Sequence, residues 1–330
     1  MATIKDIAKA ANVSAAAVSR ILNFDETLNV SQETRQKVFD TAKALNYVKR
    51  TKSSSKSATT IGIVQWFSSK EELEDSYYLL IRQGIEDYCL SHNIQIIRTY
   101  KSDVNYFDSL KDTDGIICIG KFSKSDIDFF TKSNKSTLFL DMNIKDADIS
   151  CITIDFKDAV NQVMDYLTEL GHEDIGFITG QEVIDGAIYP DEREKSFIDY
   201  CRTHNVNYKS FSKKGAFKVD SGHKMTLELI DAGTLPTAIF AASDPIAIGA
   251  IKALNENGYR VPEDVSVVGF NDISLAQFTM PPLTTVHAPA YHMGYYGAVV
   301  LQHIIRADMG TAMKIKLPCK LVTRNSCKAK

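Results

Sequence analysis

Residues 3–23 read TIKDIAKAANVSAAAVSRILN, and this stretch decides the architecture of the amino-terminal end. Thr3 suits a helix N-cap, and Asp6 lies in the first turn, where a carboxylate meets the positive end of the helix dipole. Ile4, Ile7, Ala8 and Ala11 recur at the spacing of one helical face. Asn12-Val13 interrupts the pattern, and Ser14 caps a second helix with Val18, Ile21 and Leu22 inward. After a polar loop, Asn23 to Val30, Ser31 caps a third helix carrying Val38, Ala42 and Leu45, followed by Tyr47. Three short helices, the first two joined by a tight turn, predict an all-α helix-turn-helix headpiece over residues 1–50.

The outward side of the second helix carries Ala15, Ala16, Ser19 and Arg20. Small residues allow close approach to a major-groove floor, Ala can touch a thymine methyl, and Arg20 can pair with guanine O6/N7. Ser14, Ser19, Ser31, Thr34 and Arg35 are placed to meet phosphates, aided by helix N-termini. From periodicity alone, a three-helix protein–protein module with a solvated basic face fits as well. Charge adds a second signal. The 330-residue chain has a net charge of −3, yet residues 1–58 hold ten Lys/Arg against five Asp/Glu. A head of +5 on a body of −8 is the asymmetry that raises double-stranded DNA as a partner.

Hydrophobic residues at 44% and charged residues at 24% exclude wholesale disorder, and the length suits about two domains with a small extra module. Six cysteines include no C-x-x-C, and Cys118 and Cys151 lie in apolar runs, as reduced buried thiols do. With no apolar signal core and no run near the ~18 residues of a membrane span, a soluble, cytoplasmic protein is expected. Residues 51–60, TKSSSKSATT, have linker composition. Lys52 and Lys56 there, with Lys49 and Arg50 just before, are expected to touch phosphates.

Beyond the linker, short apolar runs alternate with helical patterns. Ile61–Val64, Ile94–Ile97, Gly115–Ile119, Thr137–Leu140, Cys151–Ile154, Ile175–Ile178, Ala238–Ala241 and Val265–Val268 read as strands. Tyr77, Leu80, Ile81, Gly84, Ile85 and Tyr88 share one helical face, and Val160, Val163, Met164 and Leu167 another. Nearly continuous apolar strands between amphipathic helices predict parallel α/β layers, with a ligand in the crevice at the strand C-termini. No G-x-S-x-G elbow, P-loop or H-E-x-x-H occurs, and His287 and His292, five apart, make no helical metal pair. No catalysis, cofactor or metal is expected.

The series Thr3-Ile4-Lys5-Asp6-Ile7-Ala8, Ala11-Asn12-Val13-Ser14, Val18-Ser19-Arg20, Leu22-Asn23, Val30-Ser31, Thr34-Arg35 and Leu45-Asn46-Tyr47 resembles the headpiece of the LacI/GalR family. In the body, Ser243-Asp244, Val261-Pro262-Glu263-Asp264-Val265-Ser266, Val267-Val268-Gly269-Phe270-Asn271-Asp272 and Pro282-Leu283-Thr284-Thr285-Val286 resemble it too. The resemblance implies a sequence-specific transcriptional repressor that binds operator DNA as a homodimer and is released by a small sugar. It implies that Ala15, Ala16 and Arg20 read bases. It implies a periplasmic-binding-protein-like core, 61–330, of two doubly wound parallel-sheet subdomains. These are expected at 61–155 with 288–318, and at 156–287 with 319–330. The family's linker usually forms a hinge helix with a Pro and a wedging leucine; TKSSSKSATT has neither. Residues 75–86 look closest to a branch regulating a β-galactosidase operon, which makes a galactose-containing sugar the expected effector. The family also includes a tetramer built by a C-terminal heptad tail; this chain ends soon after Val322-Thr323-Arg324, so a dimer is expected. A global carbon-catabolite regulator of the same fold and a transport-type sugar-binding protein are the rivals. The transport protein would need a signal peptide and no headpiece.

The resemblance places six residues at the crevice. Arg193 is the ligand arginine, whose fork can hold two hydroxyls; spacing alone allows a surface Arg paired with Glu192 or Glu194. Asp141, ending an apolar strand, is a hydroxyl acceptor or else a helix cap or loop residue. Ser243 and Asn271 follow strands, and Asn271 stands where many relatives have Asp. Phe217 stacks on the sugar or joins the core, and Trp66 is a pocket wall or an exposed loop residue. These positions are polar and uncharged apart from one Arg and one Asp, which suits a neutral polyol.

Overall fold

The computed structural model describes residues 3–22, 25, 28, 30–45, 47, 59–146, 148–307 and 311–330. Residues 1–57 and 58–330 form two separate compact units. Lys49, Arg50 and the linker through residue 58, with Lys52 and Lys56, lie outside the described residues, as do Asn23 and Asn46.

The head is built from α1 (Ile4–Ala11), α2 (Ala15–Leu22) and α3 (Gln32–Ala44). Thr3 and Asp6 form a reciprocal capping box on α1, each side chain accepting from the other's backbone N–H. Asn12 then turns the chain with a left-handed backbone, φ 58°, which asparagine tolerates. Ser14 Oγ accepts from the Ala17 N–H at 3.2 Å, and Ser31 Oγ from the Thr34 N–H at 3.2 Å. Ile7, Ala11, Val18, Ile21, Val38 and Ala42 close a small core, with Leu22 and Tyr47 packed on its edge. Leu45 departs from the expected face. It is the C-cap of α3, past the last full turn, and is exposed.

The body holds two six-stranded sheets. Its strands are β1 (Thr60–Gln65), β2 (Gln95–Tyr100), β3 (Gly115–Ile119), β4 (Ser136–Leu140), β5 (Ser150–Ile154), β6 (Ile175–Gly180), β7 (Glu182–Ile184), β8 (Ala187–Tyr189), β9 (Lys213–Gly215), β10 (Ala238–Ala241), β11 (Ser266–Asn271), β12 (Thr284–His287), β13 (Lys314–Leu317) and β14 (Lys320–Val322). One sheet runs β13-β5-β4-β3-β1-β2, all parallel. The other runs β14-β12-β11-β10-β6-β9, antiparallel only at β14. The central strands β3, β5, β6 and β10 are buried along their whole length, as strands covered on both faces must be.

The helices of the body are α4 (Ser69–Glu74), α5 (Tyr77–Ser91), α6 (Tyr106–Ser109), α7 (Lys124–Lys132), α8 (Phe156–Glu169), α9 (Glu192–His204), α10 (Val219–Asp231), α11 (Asp244–Glu256) and α12 (Ala290–Ala307). In each half, one helix pair approaches so closely that only glycine fits. A Cβ on Gly84 or Gly294 would strike backbone across the α5–α12 contact, and one on Gly222 or Gly249 across α10–α11. The chain passes from one sheet to the other after β5, returns after β12, and passes over again between β13 and β14. The short pair β7–β8 has no counterpart among the strands expected from sequence, because three-residue runs carry too few periods to register.

Candidate functional sites

On the head, α2 presents Ala15 and Ala16 fully outward with Ser19 half-buried beside them. Arg20 extends from the last turn of α2, its side chain 46% exposed, and pairs with Asp25 at 2.7 Å. Arg35 turns inward instead. Its guanidinium donates to the Asp25 carbonyl at 3.2 Å and the Leu28 carbonyl at 2.7 Å, bracing the loop before α3. Ser14 and Ser31, two more of the expected phosphate contacts, serve as cap acceptors, and the Ser31 hydroxyl also shares a 2.8 Å hydrogen bond with the Thr34 hydroxyl.

In the body, a cleft lies where the C-terminal ends of both sheets converge, as the strand direction dictates. Asp141 leaves β4 with φ 61° and Asn271 ends β11 with φ 107°, backbone states that persist only when the surroundings hold them. Asp141, Arg193, Phe217, Ser243 and Asn271 all line the cleft. Trp66 does not. It lies one layer behind, against Phe67, Tyr78 and the bare face of Gly120. Phe67, Tyr77, Tyr78, Phe156, Tyr189 and Phe217 supply the aromatic walls.

Arg193 is held from every side. Its Nε donates to both oxygens of Asp191, at 2.9 and 3.1 Å, and its Nη1 to the Ala242 carbonyl. The guanidinium sits over the rings of Phe156, Phe217 and Phe270 at 5.0–5.4 Å. Spacing alone allowed Glu192 or Glu194 as its partner; Asp191 takes that place, because it is the N-cap of α9 and already faces the cleft. Burial opposes the charge of Arg193, but Asp191 raises its pKa further; burial likewise opposes the carboxylate of Asp191, yet Arg193 holds its pKa below the usual range.

Asp141 is the second anchor. Lys121 Nζ donates to its carboxylate at 2.7 Å and to its main-chain oxygen, and the Tyr77 and Tyr78 hydroxyls donate at 3.1 and 2.9 Å. Lys121 is disfavoured by burial but kept charged by Asp141 and then Glu182. The expected near-neutral lining is corrected here: Asp75, Lys121, Glu182, Asp191 and Glu192 also line the cleft. Both cations are paired with carboxylates, at Asp141 and Asp191. Asp75, Glu182 and Glu192 are left over from ion pairing, and burial pushes the carboxyls of Asp75 and Glu182 upward. The cleft therefore has acceptor capacity in excess of its donors.

Sequence reasoning missed Lys121, Glu182, Asp191 and Asp75 as lining residues. Asp75 and Asp191 sat inside stretches singled out for other reasons. Lys121 had one signal, its place just after an apolar strand. Among the described residues, no group of three or more His, Cys, Asp or Glu side chains could hold a metal ion, and no helix is long and apolar enough to cross a membrane.

Comparison with known proteins follows the same division. The model of bacterial regulatory proteins, lacI family, matches residues 3–49, and that of a periplasmic binding protein-like domain matches residues 164–327. The HTH-type transcriptional regulator GalR of Streptococcus thermophilus is 37% identical, over 99% of this chain and 100% of its own. The HTH-type transcriptional regulator GanR of Bacillus subtilis (strain 168) is 33% identical, over 99% of each. The crystal structure of the lac repressor dimer bound to operator and the anti-inducer ONPF shares the fold, with a TM-score of 0.74 at 24% identity over 99% of each chain. With a capped helix-turn-helix head, a two-sheet body and this full-length similarity, the chain belongs to the lacI family of bacterial regulatory proteins, DNA-binding regulators of transcription.

Proposed function

We propose that this regulator is a cytoplasmic repressor of a galactoside-utilisation operon, bound to its operator as a homodimer and released by a neutral galactose-containing sugar. It is not an enzyme in this reading. The observation that carries the effector class is the cleft itself. Its two cations are already paired, Asp75, Glu182 and Glu192 remain as acceptors, and aromatic rings line the same cleft. A hydroxyl-rich neutral ligand donates to such carboxylates and lays its C–H face on the rings, whereas a phosphate or uronate would be repelled. Arg193, Asp141 and Asn271 would hold hydroxyls, with Phe217 against the apolar face. The similarity to GalR and the resemblance of residues 75–86 narrow the class to galactosides.

Base reading would fall to Ala15, Ala16 and Arg20, and phosphate contact to Ser14, Ser19 and Ser31. Arg35 would act by bracing its loop. A two-fold dimer matches two heads to a near-palindromic operator. Leu275, Phe278 and Met280, exposed on one surface segment of the body, offer apolar area for a second copy of the chain. Calorimetry with galactose, lactose, allolactose, glucose, maltose and ribose, joined to mobility shifts on a selected operator, tests the reading. Galactosides should bind and release the operator. Tight ribose or nucleobase binding with no response to any galactoside would overturn the effector assignment.

A further inference from the structure

The antiparallel pair β7–β8 belongs to neither sheet. It leaves β6 and returns to α9, so both its ends are rooted in the half of the body built on the second sheet. Its register sets Glu182 opposite Tyr189 and Val183 opposite Ile188. Directly opposed residues share a face of an antiparallel pair. Glu182 and Tyr189 line the cleft, while Val183 and Ile188 are 58% and 63% exposed. The hairpin is therefore a thin wall with the cleft on one face and solvent on the other.

Its inner face and tip touch the other half of the body. Tyr189 packs on the cluster of Val64, Cys118, Phe122 and Phe139, which belongs to the first sheet and its flanks. Lys121 Nζ lies 5.5 Å from the centre of the Tyr189 ring, within cation–π reach. At the tip, Asp185 is 3.7 Å from Lys101, which also pairs with Asp126 at 2.6 Å.

We infer that residues 182–189 form a strap that closes the effector cleft by docking on the opposite half, and that Glu182 and Tyr189 are effector-contacting residues that set ligand specificity. The ligand class rests on the functional reading above. Glu182 is suited to accept from a sugar hydroxyl, since its carboxylate has no hydrogen-bonding side chain among the described residues. Burial already pushes its pKa upward despite Lys121 and Arg193 nearby, so a donor that replaces water there is favoured. Because the strap bridges both halves, an effector that fills the space beneath it would meet the strap and both halves together.

Two measurements on the full-length protein test this. Hydrogen exchange of residues 182–189 without any sugar reads docking alone. Tyr189→Ala and Asp185→Ala should each raise exchange there at least threefold, with Tyr189→Ala the larger. Calorimetry with galactose and lactose reads the effector role, and Glu182→Gln and Tyr189→Ala should each weaken binding about tenfold. Unchanged exchange in both docking variants overturns the strap. Exchange that rises while every variant binds sugar as before overturns the contact role. A parent protein that binds neither sugar overturns the galactoside reading instead, and the exchange arm still decides the strap.

Discussion

Two arginines, proposed above to meet DNA and effector, sit in very different surroundings in the two units of this protein. Arg20 stands at the end of α2 with nearly half its side chain in water, paired with Asp25. Arg193 is buried between Asp191, a main-chain carbonyl and three aromatic rings. An exposed pair is worth about 0–1 kcal/mol, so Arg20 can exchange its carboxylate for a base edge at little cost. A largely buried pair is costly to break, which favours Arg193 keeping this geometry when a ligand enters. On the proposed reading, the head would recognise DNA with side chains that can be redirected, and the cleft would recognise its effector with side chains held still.

The largest effect should come from removing the fixed arginine. Arg193→Ala leaves Asp191 buried without its cation, which should cost about 3–5 kcal/mol of body stability in urea unfolding. Sugar affinity should fall by about one to two decades, since a lost buried hydrogen-bonding partner is worth about 1–3 kcal/mol. Operator complexes would then persist at sugar concentrations that dissolve those of the parent. A variant that unfolds and binds sugar like the parent would erase the contrast.

The body's stability should also depend on pH through a buried carboxylate outside the lining. Asp244 accepts from Thr285 Oγ1 at 2.5 Å and from the Ile273 N–H at 2.7 Å, and burial raises its pKa from 3.8 to about 8. A raised folded-state pKa stabilises the fold fully below pH 3.8, and that contribution is lost as pH rises toward about 8. Asp244→Asn should remove this slope, so its thermal midpoint gains on the parent's as pH climbs from 4 to 8. Parallel midpoints across that range would show that Asp244 is not the titrating group.

On the head, Arg20→Ala should lower discrimination between operator and random DNA by about 1–3 kcal/mol, with the fold intact by circular dichroism. Equal preference in a mobility-shift titration would remove Arg20 from base reading. The smallest effect belongs to its partner. Asp25→Ala should change head stability by less than about 1 kcal/mol, because the pair is solvated and Arg35 still holds the loop through the Asp25 carbonyl. A larger loss would mean that Asp25 organises the loop through its side chain, and the comparison would then need that pair as a structural element.

Local patterns made the head and the strands legible. Capping residues and the i, i+3, i+4 rhythm act within a few residues, so Thr3, Asp6, Ser14 and Ser31 could be placed without a structure. The same holds for Gly115–Ile119 and Ala238–Ala241, which are strands over those residues. Leu45 was misplaced because a helix end depends on where the next chain segment packs.

The cleft was legible only in part. Asp141 and Ser243 follow strands and Asn271 ends one, and strand ends meet at such crevices in parallel sheets. Trp66 follows one as well, yet a single residue's turn puts it behind Phe67 and Tyr78. By itself, the sequence determined the capped helices of the head, the alternation of apolar strands with helices, and the surplus of positive charge at one end. Those properties reside in neighbouring residues. The tertiary structure alone decided that Asp191 rather than Glu192 or Glu194 holds Arg193, that Lys121 meets Asp141 from twenty residues away, and that a hairpin of two three-residue strands meets the opposite half of the body. Pairings between distant segments depend on the packing of whole sheets, and no local period encodes them.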